Sequence, residues 1–159
     1  MKKKSIAVLG STGSIGQSTL DIIRKINDFK VEVIFANKSY SKIVKQIKIY
    51  KPKVAIISNE KVYLRIKNKN KNTNLVVLNN ISNVHKYISK IDITVSAIPG
   101  IAGLEPTILF TKISKKILLA NKEAIICGWH LIKKNSIKYK TELTPIDSEH
   151  FSIATLLKN

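Results

Sequence analysis

Three glycines recur at every third position in Gly10-Ser11-Thr12-Gly13-Ser14-Ile15-Gly16, between a short apolar run ending at Leu9 and a segment of helical period. Glycine at these points permits a tight turn, close approach of backbone to a pyrophosphate and close packing of helix on sheet, with the helix N-terminus facing the anion. The spacing is G-x-x-G-x-x-G, whereas the standard NAD fingerprint is G-x-G-x-x-G. A Gly-rich turn without a ligand is the bland alternative. If a dinucleotide binds, the end of the second apolar run decides which one. NAD sites place an acidic residue there for the ribose hydroxyls, but Ala36-Asn37-Lys38-Ser39 offers an amide, a cation and a hydroxyl, which suits a 2′-phosphate. NADP is therefore preferred, against the alternative of a plain solvated loop in a lysine-rich chain.

Two later loops fall where further strands should end. Ser96-Ala97-Ile98-Pro99-Gly100-Ile101-Ala102-Gly103 follows Ile93–Val95, and Leu119-Ala120-Asn121-Lys122-Glu123 follows another apolar run. The second gathers an amide, a cation and a carboxylate that can orient a cofactor or an anionic substrate. It is equally a helix start, with Asn121 as cap and Glu123 favouring the dipole. Near the C-terminus, Thr144-Pro145-Ile146-Asp147-Ser148-Glu149-His150 concentrates two carboxylates, a hydroxyl and an imidazole. In an extended segment Asp147 and Glu149 share a face, and two hard oxygens there can hold Mg²⁺ or Mn²⁺. A capped helix start is again the alternative. His85 and His130 stand alone and read as surface or packing residues; Cys127 and Trp129, with apolar neighbours, read as core.

The elements that must position these residues alternate in type. Ser5–Leu9, Phe29–Ala36, Val54–Ser58, Leu75–Leu78, Ile93–Ala97 and Lys116–Leu119 read as strands, and an extended run is expected over Tyr139–Thr144. Helical period is expected over Ser14–Ile26, Ser41–Tyr50, Lys61–Lys67, Val84–Lys90, Glu105–Lys112 and Glu123–Lys134, with Lys67–Asn74 the most loop-like stretch. Continuous apolar strands alternating with helices imply an α/β fold, a doubly wound parallel sheet covered on both faces.

Composition narrows the partners. At 159 residues the chain can fill one core and at most the start of another. A formal charge of +18 would put nucleic acid first, yet Arg occurs only at Arg24 and Arg65, and aromatic residues make up 6%. Scattered Lys without Arg or a stacking platform argues against a specific nucleic-acid surface. One cysteine, no zinc-like spacing, no 18-residue apolar stretch and too short an N-terminal apolar run for a signal peptide point to a soluble protein of a reducing, cytoplasmic compartment.

Taken in order, GSTGSIG at 10–16, AIPGIAGLEPT at 97–107, LLANKE at 118–123 and PIDSEH at 145–150 closely resemble 1-deoxy-D-xylulose 5-phosphate reductoisomerases. The resemblance implies a Rossmann-like NADPH-binding domain over 1–143 and the beginning of a metal- and substrate-binding catalytic domain over 144–159. It implies an oxidoreductase of the non-mevalonate isoprenoid pathway, dimeric at full length, which uses NADPH and a divalent cation. Such an enzyme rearranges 1-deoxy-D-xylulose 5-phosphate and reduces the product to 2-C-methyl-D-erythritol 4-phosphate. Carried over by position, Thr12, Gly13, Ser14 and Ile15 would hold the cofactor phosphates, and Asn37, Lys38 and Ser39 the adenosine end. Asn121 and Glu123 would also contact the cofactor. Lys122 and Glu149 would be catalytic; Lys122, Ser148 and Glu149 would bind substrate; Asp147 and Glu149 would hold the metal. The chain departs from the family's usual Gly-Lys-Asn at Asn37-Lys38-Ser39, and carries Ala124 where Ser is usual and Pro99 in a loop normally richer in small residues. Members of the family continue well past PIDSEH, into a third metal-binding carboxylate, a substrate-phosphate site, a flap and a helical domain.

Overall fold

A computed structural model of the protein describes residues 3–26 and 28–146. In chain order the regular elements are β1 (Lys4–Leu9), α1 (Ser14–Ile26), β2 (Phe29–Ala36), α2 (Tyr40–Tyr50), β3 (Val54–Ile57), α3 (Glu60–Lys69), β4 (Val76–Leu78), β5 (Ile91–Ser96), α4 (Leu104–Thr111), β6 (Ser114–Leu119), α5 (Lys122–Tyr139) and β7 (Glu142–Pro145), with short 3-10 helices at Ile81–Lys86 and Ile101–Gly103. Among the described residues the seven strands form one sheet in the order β4-β3-β2-β1-β5-β6-β7, every neighbouring pair parallel. A parallel pair needs a crossover, and the helices supply it while covering both faces. The doubly wound α/β class read from the sequence is the observed one.

Alternation along β1 shows the two layers. Ile6 and Val8 pack with Leu20 and Ile23 of α1 and with Val31 and Ile34 of β2. Ala7 and Leu9 turn to the other face, toward Phe110 of α4 and Ile117 of β6. A third cluster joins Ile43 of α2 to Val62 and Ile66 of α3. Burying such side chains contributes about 1.5–3 kcal/mol each, so the sheet is a rigid base for the loops at its ends.

At the N-terminal edge, Asp92 of β5 ties three strands together. Its Oδ2 accepts from the backbone N–H and the hydroxyl of Ser5, both at 2.8 Å, and its Oδ1 accepts from Lys115 Nζ at 2.6 Å. Lys115 and then Ser5 hold the carboxyl well below the usual carboxylate range. Because folding lowers this pKa, the stabilisation is fully present above the unfolded value of about 4 and is lost as pH falls through the folded one. Asp92→Ala is expected to cost about 1–2 kcal/mol near neutral pH. Urea unfolding should show the gap between variant and parent narrowing steadily below about pH 4. A gap that stays constant down to pH 3 would refute this role.

The C-terminal third departs from the sequence expectation. The helix expected to end at Lys134 runs to Tyr139, so the extended segment starts at Glu142 and not at Tyr139. Lys140, in the left-handed region at φ 55°, ends it without a glycine to signal the stop. Cys127 and Trp129 are exposed, contrary to the core reading. The inward face of α5 is the line Ala124, Gly128, Ile132 and Ser136, and positions 127 and 129 flank that line. The helix expected over Val84–Lys90 is instead the 3-10 helix Ile81–Lys86, capped by Asn80, whose side chain accepts from Ser82 N–H. His85 and His130 are exposed.

Candidate functional site

Strand order reverses around β1, which lies between β2 and β5, and in open α/β sheets the crevice outside the carboxyl ends at such a point is where ligands bind. The loops at that edge follow the strand order. They are Asn37-Lys38-Ser39 after β2, the Gly10–Gly16 loop after β1, 97–103 after β5 and 120–123 after β6. Four sequence-distant segments singled out for their chemistry are therefore brought to one edge.

Gly10 makes the turn out of β1 at φ +83°, and a Cβ there would run into the Ala97 carbonyl of the neighbouring loop. Gly16, in the first turn of α1, lies against the Gly10 carbonyl and Ser11 Cα, with no room for a side chain. These approaches bring the start of α1 to the mouth of the switch point. Gly13, Ser14 and Ile15 are exposed there, and Thr12 is half-buried. The first turns of α1 and α2, which flank the Gly-rich loop and the end of β2, contain no acidic residue, whereas α3, α4 and α5 begin with Glu60, Glu105 and Glu123. A helix N-terminus carries about +0.5 of a charge. At α1 no carboxylate within the helix occupies that field, which suits a bound phosphate.

Asn37 and Lys38 are exposed, and Ser39 is half-buried. Ser39 stands at the N-cap position of α2, yet its side chain makes no capping bond, leaving the hydroxyl for another partner. Tyr40 follows, and the Arg65 guanidinium of α3 stacks 4.1 Å from its ring centroid, placing one of the two arginines beside this loop. Asn121 is the N-cap of α5, accepting from Ala124 N–H at 2.9 Å, while its Nδ2 donates to the Ile98 carbonyl and, at 2.8 Å, to that of Gly100. It is buried and clamps the loop after β5 to the start of α5. Both of its amide protons are engaged, so a ligand would meet it through main-chain atoms or the remaining oxygen lone pair. Lys122 and Glu123 are exposed beside it.

Asp147, Ser148 and Glu149 lie outside the described residues. Ile146 still belongs to the ligand edge, since its N–H donates to the Leu119 carbonyl at 2.9 Å. The boundary after residue 143 drawn from the sequence falls inside β7. Among the described residues no group of three or more His, Cys, Asp or Glu side chains is placed to hold a metal, and no helix is long and apolar enough to cross a membrane.

Comparison with known proteins matches this arrangement to one family. The sequence model of 1-deoxy-D-xylulose 5-phosphate reductoisomerase aligns with residues 6–128. The chain belongs to this family. The reductoisomerase of Pelagibacter ubique (strain HTCC1062) is 46% identical over 160 residues, covering 98% of this chain and 41% of the relative. That of Francisella tularensis subsp. tularensis (strain WY96-3418) is 41% identical, covering 99% and 41%. The chain thus spans about two fifths of the length of these relatives. Among solved structures, the Zymomonas mobilis reductoisomerase in complex with NADPH superposes with a TM-score of 0.84 at 30% identity, over 94% of this chain and 40% of that one. A reductoisomerase in complex with NADPH, fosmidomycin and magnesium gives 0.83 at 32% identity, over 92% and 37%.

Within this reductoisomerase fold, some contributors to the site were not singled out from sequence. Gln46 of α2 exchanges two hydrogen bonds with Ser11, and Gln17 Nε2 and Lys42 Nζ donate to the Thr12 carbonyl at 3.0 and 3.4 Å. Gln46 did leave a trace in the sequence. It lies three residues after Ile43 and beside Ile47, an uncharged polar residue inside the apolar stripe of α2.

Proposed function

We propose that this chain is the dinucleotide-binding part of a 1-deoxy-D-xylulose 5-phosphate reductoisomerase, binding NADPH across the loops after β1, β2 and β6. The observation that carries this reading is the acid-free N-terminus of α1 at the switch point, next to a β2 end that bears Lys38 and Ser39 and no carboxylate. Backbone N–H groups of the 12–15 loop and the start of α1 face the pyrophosphate, and Lys38 and Ser39 meet the 2′-phosphate with a cation and an unused hydroxyl. Asn121 positions the start of α5 so that Glu123 faces the cofactor and Lys122 the substrate. NADPH supplies a hydride when bound.

In the same reading Asp147 and Glu149 are the metal carboxylates, and Lys122, Ser148 and Glu149 engage the substrate. Residues 1–143 form the cofactor domain and 144–159 open the catalytic one. Asp147 and Glu149 would hold a divalent ion, Mg²⁺ or Mn²⁺, by hard oxygens, and when bound it would supply Lewis-acid polarisation of the ketone of 1-deoxy-D-xylulose 5-phosphate for the conversion to 2-C-methyl-D-erythritol 4-phosphate. The full-length protein works as a cytoplasmic homodimer and makes no specific contact with nucleic acid.

Titration of reduced nicotinamide fluorescence tests the cofactor assignment. NADPH should bind at least about tenfold more tightly than NADH, the worth of one charge-assisted contact to phosphate. Lys38→Ala should remove most of that difference by weakening NADPH alone. Equal affinities in the parent chain, or an NADH preference that survives the substitution, would refute it.

A further inference from the structure

Gln46 lies on the buried side of α2 but spends its polar atoms on the loop after β1. Its Nε2 donates to the Ser11 carbonyl at 2.7 Å, and its Oε1 accepts from the Ser11 hydroxyl at 2.8 Å. Ser11 is 0% and Gln46 7% exposed, so water does not compete for either bond. Ser11 is held at both backbone and side chain, immediately after the positive-φ turn at Gly10 and immediately before Thr12. One turn earlier on the same helix, Lys42 reaches the Thr12 carbonyl. The helix that begins just after Asn37-Lys38-Ser39 therefore grips the Gly-rich loop near its start, at Ser11 and Thr12.

We propose that Gln46 is a positioning residue, locking the phosphate-binding loop to α2 so that the pyrophosphate and 2′-phosphate subsites keep a fixed separation. The proposal rests on the NADPH reading above. A dinucleotide has its two phosphate regions at a separation set by its own bonds. A loop already fixed at that separation binds it without the ordering cost a free loop would incur. The two bonds are reciprocal, donor to carbonyl and acceptor from hydroxyl, so an apolar side chain of the same length fills the space and loses the grip.

The test uses Gln46→Met and the double variant Ser11→Ala with Gln46→Met. The single variant leaves both the hydroxyl and the carbonyl of Ser11 without the Gln46 partner and should melt lower; the double variant removes the hydroxyl but keeps the bare carbonyl, and should regain part of the stability. Affinity should not follow. In both variants NADPH, which spans the two subsites, should bind about tenfold more weakly, whereas NADH, which lacks the 2′-phosphate, should lose less, so the preference for NADPH narrows. In the family-length enzyme the same variants should raise KM for NADPH and leave kcat in place. If the single variant fails to fold, the double variant carries the measurement alone. Recovery of affinity together with stability in the double variant would show a merely structural pair and overturn the proposal. A parent chain that binds neither dinucleotide would instead sink the cofactor reading, and this proposal with it.

Discussion

Gly16→Ala is expected to lower stability by about 3 kcal/mol, the upper range for overpacking a close-packed site. For a chain of this size that is a fall of about 10 °C in Tm. Alanine favours the helix interior by about 1 kcal/mol over glycine, so propensity alone predicts stabilisation. Packing decides otherwise, because the atoms a Cβ would meet are the Gly10 carbonyl and Ser11 Cα, both backbone, with no flexible end to yield. The Gly10–Ser11 turn or α1 must move, and the N–H groups proposed to face the pyrophosphate move with it. NADPH affinity should drop by about tenfold or more in the variant at temperatures where it is still folded. Gly13→Ala is the control, since its Cβ would find only the Gly10 carbonyl, at an ordinary contact distance of 3.4 Å. Melting curves for the two variants should separate clearly. Equal melting temperatures, or a Gly16→Ala chain with the affinity of its parent, would show that the close approach is not what shapes the loop.

The contrast between these two glycines shows where the sequence is informative and where it stops. The Gly10–Gly16 spacing marked a strand-to-helix turn because glycine is a local signal, and β1 and β3 were legible because their buried parts, residues 6–9 and 54–57, are unbroken apolar runs. Which glycines are indispensable was not legible, since at Gly16 this depends on how the turn folds the Gly10 carbonyl back over α1, and at Gly10 on Ala97, 87 residues away in the chain but adjacent just past the β1–β5 pair. The same limit applies to Gln46, whose partner lies on another element. In α5 the failure had a different origin. Ile126, Trp129 and Ile137 are 77%, 42% and 69% exposed, so the apolar residues of that helix do not mark its buried side. Its buried line carries only one large apolar side chain, Ile132, among the small Ala124, Gly128 and Ser136, and Gly128 breaks the regular turn with φ −137°. Hydrophobic period cannot orient a helix of this kind, nor find its end. At Asn121 chemistry left two readings, cap or ligand contact. The structure shows a cap whose amide also fastens the neighbouring loop, and under the proposed function it would serve by placing Lys122 and Glu123.

The 159 residues by themselves are expected to bind NADPH yet to leave 1-deoxy-D-xylulose 5-phosphate unchanged, even with Mn²⁺ present. Under the proposed function, cofactor binding draws on the loops after β1, β2 and β6, all carried by the one sheet. Turnover needs more. A hard divalent ion in a catalytic site takes about six oxygen ligands, and Asp147 and Glu149 supply two side chains toward that number. Hydride transfer also requires the reacting atoms to be held at about 3–3.5 Å, a geometry that binding groups on both sides of the substrate must impose. With one side open to solvent, water screens the field that the metal and Lys122 exert on the developing charge. An NADPH-oxidation assay on these residues, beside a chain of the length of the relatives, separates the two requirements. Equal NADPH affinity with turnover only in the longer chain is the expected result. In that longer chain Asp147→Asn should cut kcat by about a hundredfold or more while leaving NADPH affinity intact, since a metal carboxylate acts on the transition state and not on the dinucleotide. Turnover by the 159 residues would mean that the metal and substrate are held well enough without the remaining three fifths or so of the relatives' length. Loss of NADPH affinity in the short chain would mean instead that the cofactor site is not confined to this sheet.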